Sequence, residues 1–321
     1  MGVLVTGGTG FIGAQIVRFL LEKGEKDLVV FDINPSTKLL SGVEDRIEVV
    51  RGDLGNMSHV LNVVKGFSPK VIYHLGGMLS VPSDADPAAS FRANAMGTFH
   101  ILEAARLFEV PQVIFSSTLG TYGYDLDNHA DVIDDYTLQR PVIFYGATKV
   151  FCEHMGLFYK RKYGLDFRGL RYPSIVGPGV KTPGVAQFTS WAIEESVKGN
   201  PFTIWVKPES KCAVMYFKDA ALAAIKLGEA PLSSIKMVNY MIGGATPIAS
   251  ARELADIVKK KIPTAKIDFK PDPEIQMFFD KLLPIDDSIA RKEWDWDPEY
   301  DQERIVDDFI EEMRLHHERY A

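Results

Sequence analysis

The stretch TGGTGFIG, Thr6–Gly13, follows the apolar run VLVT and leads into an amphipathic segment. Three of its four glycines, Gly7, Gly10 and Gly13, have the spacing Gly-x-x-Gly-x-x-Gly. Glycine lets the backbone turn sharply out of a strand, and the missing side chains let the first amides of the next helix meet a pyrophosphate. A tight strand-to-helix turn with nothing bound uses glycines in the same way, so the triplet takes its meaning from its surroundings.

Working outward, apolar runs alternate with amphipathic segments: helix Gly13–Lys23, strands LVVFD and IEVVRGD, helix His59–Phe67, strand VIYHLGG, helix Ala88–Phe108 and strand VIFSST. Short, continuously apolar strands separated by helices indicate βαβ units and a parallel sheet covered on both faces. The expected fold is α/β, a Rossmann-type doubly wound parallel sheet with a smaller C-terminal α/β substrate lobe. Gly and Pro become dense between Pro173 and Pro208, so the NAD-binding part is expected over 1–173 plus about 211–245 and the lobe over about 174–210 and 246–321. The tail reads as helix ARELADIVKKK, strand KIDFK, a Trp-rich turn and a terminal helix QERIVDDFIEEMRLHH.

Bulk properties exclude several classes. The 321 residues, 46% hydrophobic and 25% charged, suit a soluble chain with a large core, and a net charge of -7 opposes non-specific nucleic-acid binding. No apolar run approaches membrane-spanning length, and the opening residues read as a strand, so neither a membrane nor a secretory route is expected. The expectation is a cytoplasmic protein acting on a small molecule. Cys152 and Cys212 stand far apart with no CxxC, which fits buried small hydrophobes better than a disulfide framework or metal site.

Asp32 ends its strand in VVFDIN, where a carboxylate accepts bonds from the adenosine ribose hydroxyls and repels a 2′-phosphate, favouring NAD over NADP. Asp53 in RGDLGN either reaches the adenine amine or caps the helix from His59. YGATK, Tyr145–Lys149, opens a helical segment and puts a phenol and an ammonium one turn apart on one face. A cation near the phenol favours the phenolate, which makes Tyr145 a candidate base. Ser116, Ser117 and Thr118 end a strand of the sheet, the edge at which doubly wound folds bind ligands. Bland readings fit other residues: His74 as a structural histidine, Trp294 and Trp296 as wedges under the terminal helix, and Asp307, Asp308, Glu311 and Glu312 as a solvated face. Arg171 pairs either with a substrate anion or with a core acid.

Together, TGGTGFIG, the acid of VVFD, the SST strand end and YGATK resemble the extended short-chain dehydrogenase/reductase superfamily, over essentially the whole chain. The resemblance implies Tyr145 as the proton-transfer residue, Lys149 as the group that lowers its pKa and holds the nicotinamide ribose, and Thr118 as the third member. It implies cofactor contacts from Gly7, Gly10, Phe11, Ile12, Gly13, Asp32, Asp53, Leu54, Leu75, Tyr172 and Pro173, and substrate contacts from Ser80, Arg171 and Ser174. Asn94 in NAMGT either supports the lysine or packs a helix. Within the superfamily, HLGGMLS, DFRGLRYPSIVG, AVMYFKDAA and DDSIARKEWDWDPEYD look like the short-chain type of L-threonine 3-dehydrogenase.

Departures fall on the substrate side. The group's Gly-rich loop with paired threonines appears as Pro183 to Ser190 without that pair, its Gly-Glu becomes Ser83-Asp84, and its Trp-Pro becomes Leu283-Pro284. The expected activity is NAD-dependent oxidation of a small β-hydroxy acid or amino acid. The alternatives are a nucleotide-sugar 4-epimerase or dehydratase and a non-catalytic dinucleotide sensor, which would need no Tyr145–Lys149–Thr118 set. Helices Ala88–Phe108 and Tyr145–Tyr163 carry apolar positions beyond one stripe, from which a homodimer is expected.

Overall fold

The computed structural model describes residues 2–123 and 131–320. Its first half runs β1 (Val3–Thr6), α1 (Phe11–Glu22), β2 (Leu28–Asp32), β3 (Glu48–Arg51), α2 (Met57–Phe67), β4 (Val71–His74), α3 (Ser80–Ala85), α4 (Pro87–Ser90), a π-helical turn (Phe91–Met96), α5 (Gly97–Leu107) and β5 (Gln112–Thr118). Then come α6 (Phe144–Tyr163), β6 (Asp166–Tyr172), β7 (Ser174–Val176), α7 (Phe188–Val197), β8 (Phe202–Ile204), β9 (Val214–Tyr216), α8 (Phe217–Glu229) and β10 (Asn239–Met241). The chain closes with α9 (Ala251–Lys261), β11 (Ile267–Phe269), α10 (Pro273–Phe279), α11 (Ser288–Trp294), α12 (Gln302–Leu315) and α13 (His317–Tyr320).

Seven strands form one parallel sheet in the order β10-β6-β5-β4-β1-β2-β3. The chain moves outward from β1 through β2 to β3, then returns to place β4 on the other side of β1. That reversal opens a crevice beyond the carboxyl ends of β1 and β4, where such sheets take their ligands. The strands are apolar throughout because both faces are covered: Val3 and Val5 pack with α1 and α8 residues, while Leu4, Ile72 and Phe115 pack with α2 and α5 residues. A further core gathers Val176, Phe188, Ile204, Tyr216, Leu254, Ile305 and Phe309 around the short parallel pairs β7–β9 and β8–β11.

Helix starts differ from the sequence reading for local reasons. α1 begins at Phe11, so Gly10 is its N-cap and the glycine loop abuts its first turn. α2 begins at Met57 because the Asn56 side chain accepts from the Ser58 and His59 amides. Asn56, and not Asp53, is that cap. The expected single helix Ala88–Phe108 is interrupted by the π-helical turn, in which the Gly97 N–H reaches back five residues to the Arg92 carbonyl. Trp294 and Trp296 are buried, but in the core they share with Tyr240, Ile242 and Leu227 and not in the one that holds the α12 residues Ile305, Val306 and Phe309, so the expected wedge under the terminal helix is corrected; the Trp296 indole donates to the Gly243 carbonyl. The acidic face of α12 is corrected in part. Glu312 is 8% exposed and pairs with Lys218 and Arg319, and Asp308 accepts from Tyr216 and Lys218, because α8 and α13 pack across that side. Among the described residues no helix is long and apolar enough to cross a membrane.

Candidate active site

Above the crevice lies a cleft of about 1380 Å³, larger than the ~300–1,000 Å³ of an ordinary small-molecule pocket. The glycine loop, Asp32 and Asp53 line one end. Tyr145, Lys149 and Thr118 line the middle, and residues 182–187, 211–213 and 281–285 line the other end.

At the first end the chain is folded tightly upon itself. Gly7 has φ +69, a left-handed conformation, and a Cβ there would lie 2.7 Å from the Gly76 nitrogen at the end of β4. A Cβ on Gly13 would lie 2.2 Å from the Gly7 carbonyl oxygen. The first amides of α1 have neither a capping side chain nor an acidic residue in their turn, so they present a positive helix end to the cleft. Asp32 is half-buried, accepting from the Thr9 and Asn34 amides at 3.3 and 3.1 Å. Beneath this end His74 bridges strands and helix: its ring nitrogens meet Thr6 Oγ1 at 2.7 Å and Thr98 Oγ1 at 3.1 Å. Burial, with Lys149 adding to it, pushes the His74 pKa down to about 3, so the ring is a neutral structural pin.

In the middle, α6 starts directly before Tyr145 and presents Tyr145 and Lys149 one turn apart. Thr118 hydrogen-bonds Tyr145, and its Oγ1 also accepts from the Gly120 amide at 3.1 Å. Lys149 is 4% exposed. Its Nζ donates to the Ser116 carbonyl at 2.7 Å, and it stands 4.7 Å from the Phe115 ring centroid and 5.7 Å from that of Tyr145. Burial pushes the Tyr145 phenol above its ordinary value, with the Thr118 hydrogen bond opposing. Burial likewise pulls Lys149 down to about 8, against the pull of Cys152 and Glu153.

The NAD dependent epimerase/dehydratase family model matches residues 3–243. This chain belongs to that family. It is therefore an NAD-dependent enzyme. Of its relatives, the L-threonine 3-dehydrogenase of Bos taurus, described as mitochondrial, is 32% identical over 316 residues, covering 95% of this chain and 80% of the relative. The crystal structure of L-threonine dehydrogenase from Phytophthora infestans is 28% identical, with a TM-score of 0.87 over 98% of this chain and 99% of that one. A UDP-glucose 4-epimerase from Thermotoga maritima, 24% identical with a TM-score of 0.84 over 98% and 99% of the two chains, shares the fold.

The glycine end fits the family's cofactor. Gly7 and Gly13 leave no room for side chains between loop and helix, and the bare start of α1 suits a pyrophosphate. Gly7, Gly10, Phe11, Ile12, Gly13, Asp32, Asp53, Leu54 and Leu75 all line this cleft, as do Tyr172, Pro173, Ser80 and Ser174 further along. Asp53 is exposed, and its Oδ1 accepts from the Gly55 amide at 2.8 Å. The Tyr172 hydroxyl is committed to the Ala220 carbonyl at 2.9 Å, so what it offers the cleft is its ring and backbone.

Arg171 is a correction. It is absent from the cleft wall and 7% exposed, and its guanidinium is spent on Glu153 at 2.8 Å and on the Tyr122 hydroxyl at 2.7 Å, which makes it a partner of core acids. Asn94 makes its direct contacts elsewhere. Its amide clips Met78 in the loop after β4, at 2.7 and 3.1 Å, to Thr148 at 3.2 Å. Cys212, expected in the core, is half-buried on the cleft wall. The cleft also recruits Gln187, Lys211, Lys281, Ile248 and Phe278, which sequence reasoning missed as site residues. Only Gln187 carried a signal, as part of the altered loop.

Proposed function

We propose that this enzyme oxidises the β-hydroxyl of a small hydroxy acid or hydroxy amino acid, with L-threonine the first compound to test. The observation that carries the reading is the convergence of Tyr145, Lys149 and Thr118 on the wall of one cleft that the glycine loop also lines. The identity with the bovine relative supports threonine as the starting point. In this reading Tyr145 Oη takes the proton from the substrate hydroxyl. Thr118 Oγ1 holds the same substrate oxygen, so the proton leaves along a fixed direction. Lys149 stabilises the phenolate and holds the cofactor ribose, and Asp32 selects NAD over NADP through its charge. Bound NAD supplies the acceptor for the hydride that leaves the substrate carbon. In this reading Ser80 and Ser174, which line the same cleft, contact the substrate.

Incubating the purified enzyme with L-threonine and NAD should accumulate NADH, because a dehydrogenase releases its ketone and does not return the hydride. No NADH from L-threonine, L-serine or 3-hydroxy acids, together with inversion of a UDP-hexose, would replace this reading with the epimerase.

The proposed assembly is a homodimer. Phe91, Phe151, Phe158 and Leu107 are 45%, 50%, 50% and 46% exposed on the π-helical turn, α5 and α6, with the Phe91 and Phe151 rings stacked at 6.5 Å. A second copy laid on this face would bury an apolar surface that monomers rarely leave in water. Light scattering at micromolar protein should give the dimer mass; a monomer mass would refute it.

A further inference from the structure

One turn beyond Lys149 on α6 stands Glu153, 3% exposed, with both carboxylate oxygens engaged. Oε1 accepts from Ser117 Oγ at 2.5 Å and Arg171 Nε at 3.1 Å. Oε2 accepts from Arg171 Nη2 at 2.8 Å and Gln139 Nε2 at 2.9 Å. These donors come from three separate pieces of chain. Ser117 immediately precedes Thr118 and follows Ser116, whose carbonyl holds Lys149. Arg171 immediately precedes Tyr172, and Gln139 lies in the segment that enters α6. Arg171 extends the network by donating to Tyr122 Oη at 2.7 Å and standing 3.7 Å from Asp135 Oδ1. Tyr122 itself lines the cleft.

We propose that Glu153 is the positioning residue of the active site: its carboxylate locks the end of β5, the end of β6 and the lead into α6 in the register that brings Thr118, Lys149 and Tyr145 together. The proposal rests on the proton-transfer reading given above. An ion pair kept only for stability would be a poor choice here, since apolar replacements of buried pairs often fold as well or better. Glu153 also bears on the state of the lysine. Lys149 faces Tyr145 and Cys152 on its own helix, the Phe115 ring and Ser116 carbonyl on β5, and His74 on β4; among these groups and Glu153, Cys152 and Glu153 favour the ammonium against burial. Removing the Glu153 charge therefore lowers the Lys149 pKa, and the ammonium is lost at lower pH.

The test is Glu153→Gln in the full chain, assayed on whichever hydroxy substrate the wild type oxidises. The expected result is a kcat reduced about tenfold or more, the size of loss that small misplacement of reacting groups produces. KM and NAD affinity should stay within about threefold, and the alkaline limb of the kcat/KM profile should move to lower pH. NMR titration of the Lys149 ammonium, which needs no turnover, should show the same downward shift. A preserved kcat, a change confined to KM, or an unmoved Lys149 titration would overturn the proposal. Should Glu153→Gln not fold, Ser117→Ala removes only the link to β5 and should lower kcat several-fold with the ion pair intact; wild-type kcat in that variant would overturn it equally. If the wild type oxidises no hydroxy compound, the functional reading fails, while the Lys149 titration still decides the role of Glu153.

Discussion

The two ends of the cleft are made from different material. The glycine end takes its lining from Gly7 to Asp53, in which loop, helix start and carboxylates follow one another along the chain. The far end draws on residues 182–187, 211–213, 248, 278 and 281–285, which meet only after the fold has formed. A site built from neighbours in sequence is constrained by backbone geometry, as the Gly13 contact illustrates. A site built from distant loops is constrained by side chains, and side chains change without disturbing the frame. In the function proposed above, cofactor and chemistry fall to the first end and the middle, and substrate choice to the second.

The comparison breaks most directly at the seam between the ends. Tyr145→Phe should cut NADH formation by ~10²–10⁴-fold, the usual worth of a positioned proton acceptor, and leave the NAD dissociation constant nearly unchanged. More than about a tenth of wild-type turnover would remove Tyr145 from the base role. Because burial holds its phenol above the ordinary value, the wild-type rate should rise with pH through the neutral range, as the reactive phenolate becomes more populated.

A smaller pair of effects sharpens the contrast. Asp32→Ala should narrow the preference for NAD over NADP about tenfold or more, since one unit charge near a phosphate in a partly solvated cleft is worth ~1–4 kcal/mol. Substrate ranking should not move. Gln187→Ala should do the reverse: Gln187 Nε2 is buried without a partner among the described residues, at the far end of the cleft, and its removal should change KM among hydroxy substrates several-fold, about 1 kcal/mol, with NAD affinity intact. Titration of both cofactors and a substrate panel on both variants read this out. If either variant moved both quantities alike, the two ends would not be separable.

The same contrast explains how much could be read from the sequence. The parallel sheet was legible because its strands are apolar on both faces, and the glycine loop because each glycine answers a local steric demand. Tyr145 and Lys149 were legible through helical spacing taken together with the strand end at Ser116 to Thr118 and the family resemblance, since a Tyr-x-x-x-Lys pair by itself also suits a surface helix. Glu153 was not, since a carboxylate four residues after a lysine reads as an ordinary surface pair until β5 and β6 are seen to close over it. Arg171 stood between two readings that only its partners could separate. Glu312 and Asp308 looked solvated because the helix pattern does not tell which charges another helix will cover. Lys211, Lys281 and Ile248 enter the cleft from loops with no periodicity to announce them.

The wide turn at Phe91–Met96 makes chain length, more than composition, the vulnerable property of this part of the molecule. A π-helical turn accommodates one residue beyond what an α-helix would need, and each α-helical residue advances the direction of a side chain by about 100°. Deleting any one residue there would straighten the helix and swing the Asn94 position away from Met78 and Thr148, even if every remaining side chain were conserved. The loop at 180–187, which carries no such register, is where the gene can gain or lose residues and leave the chemistry standing.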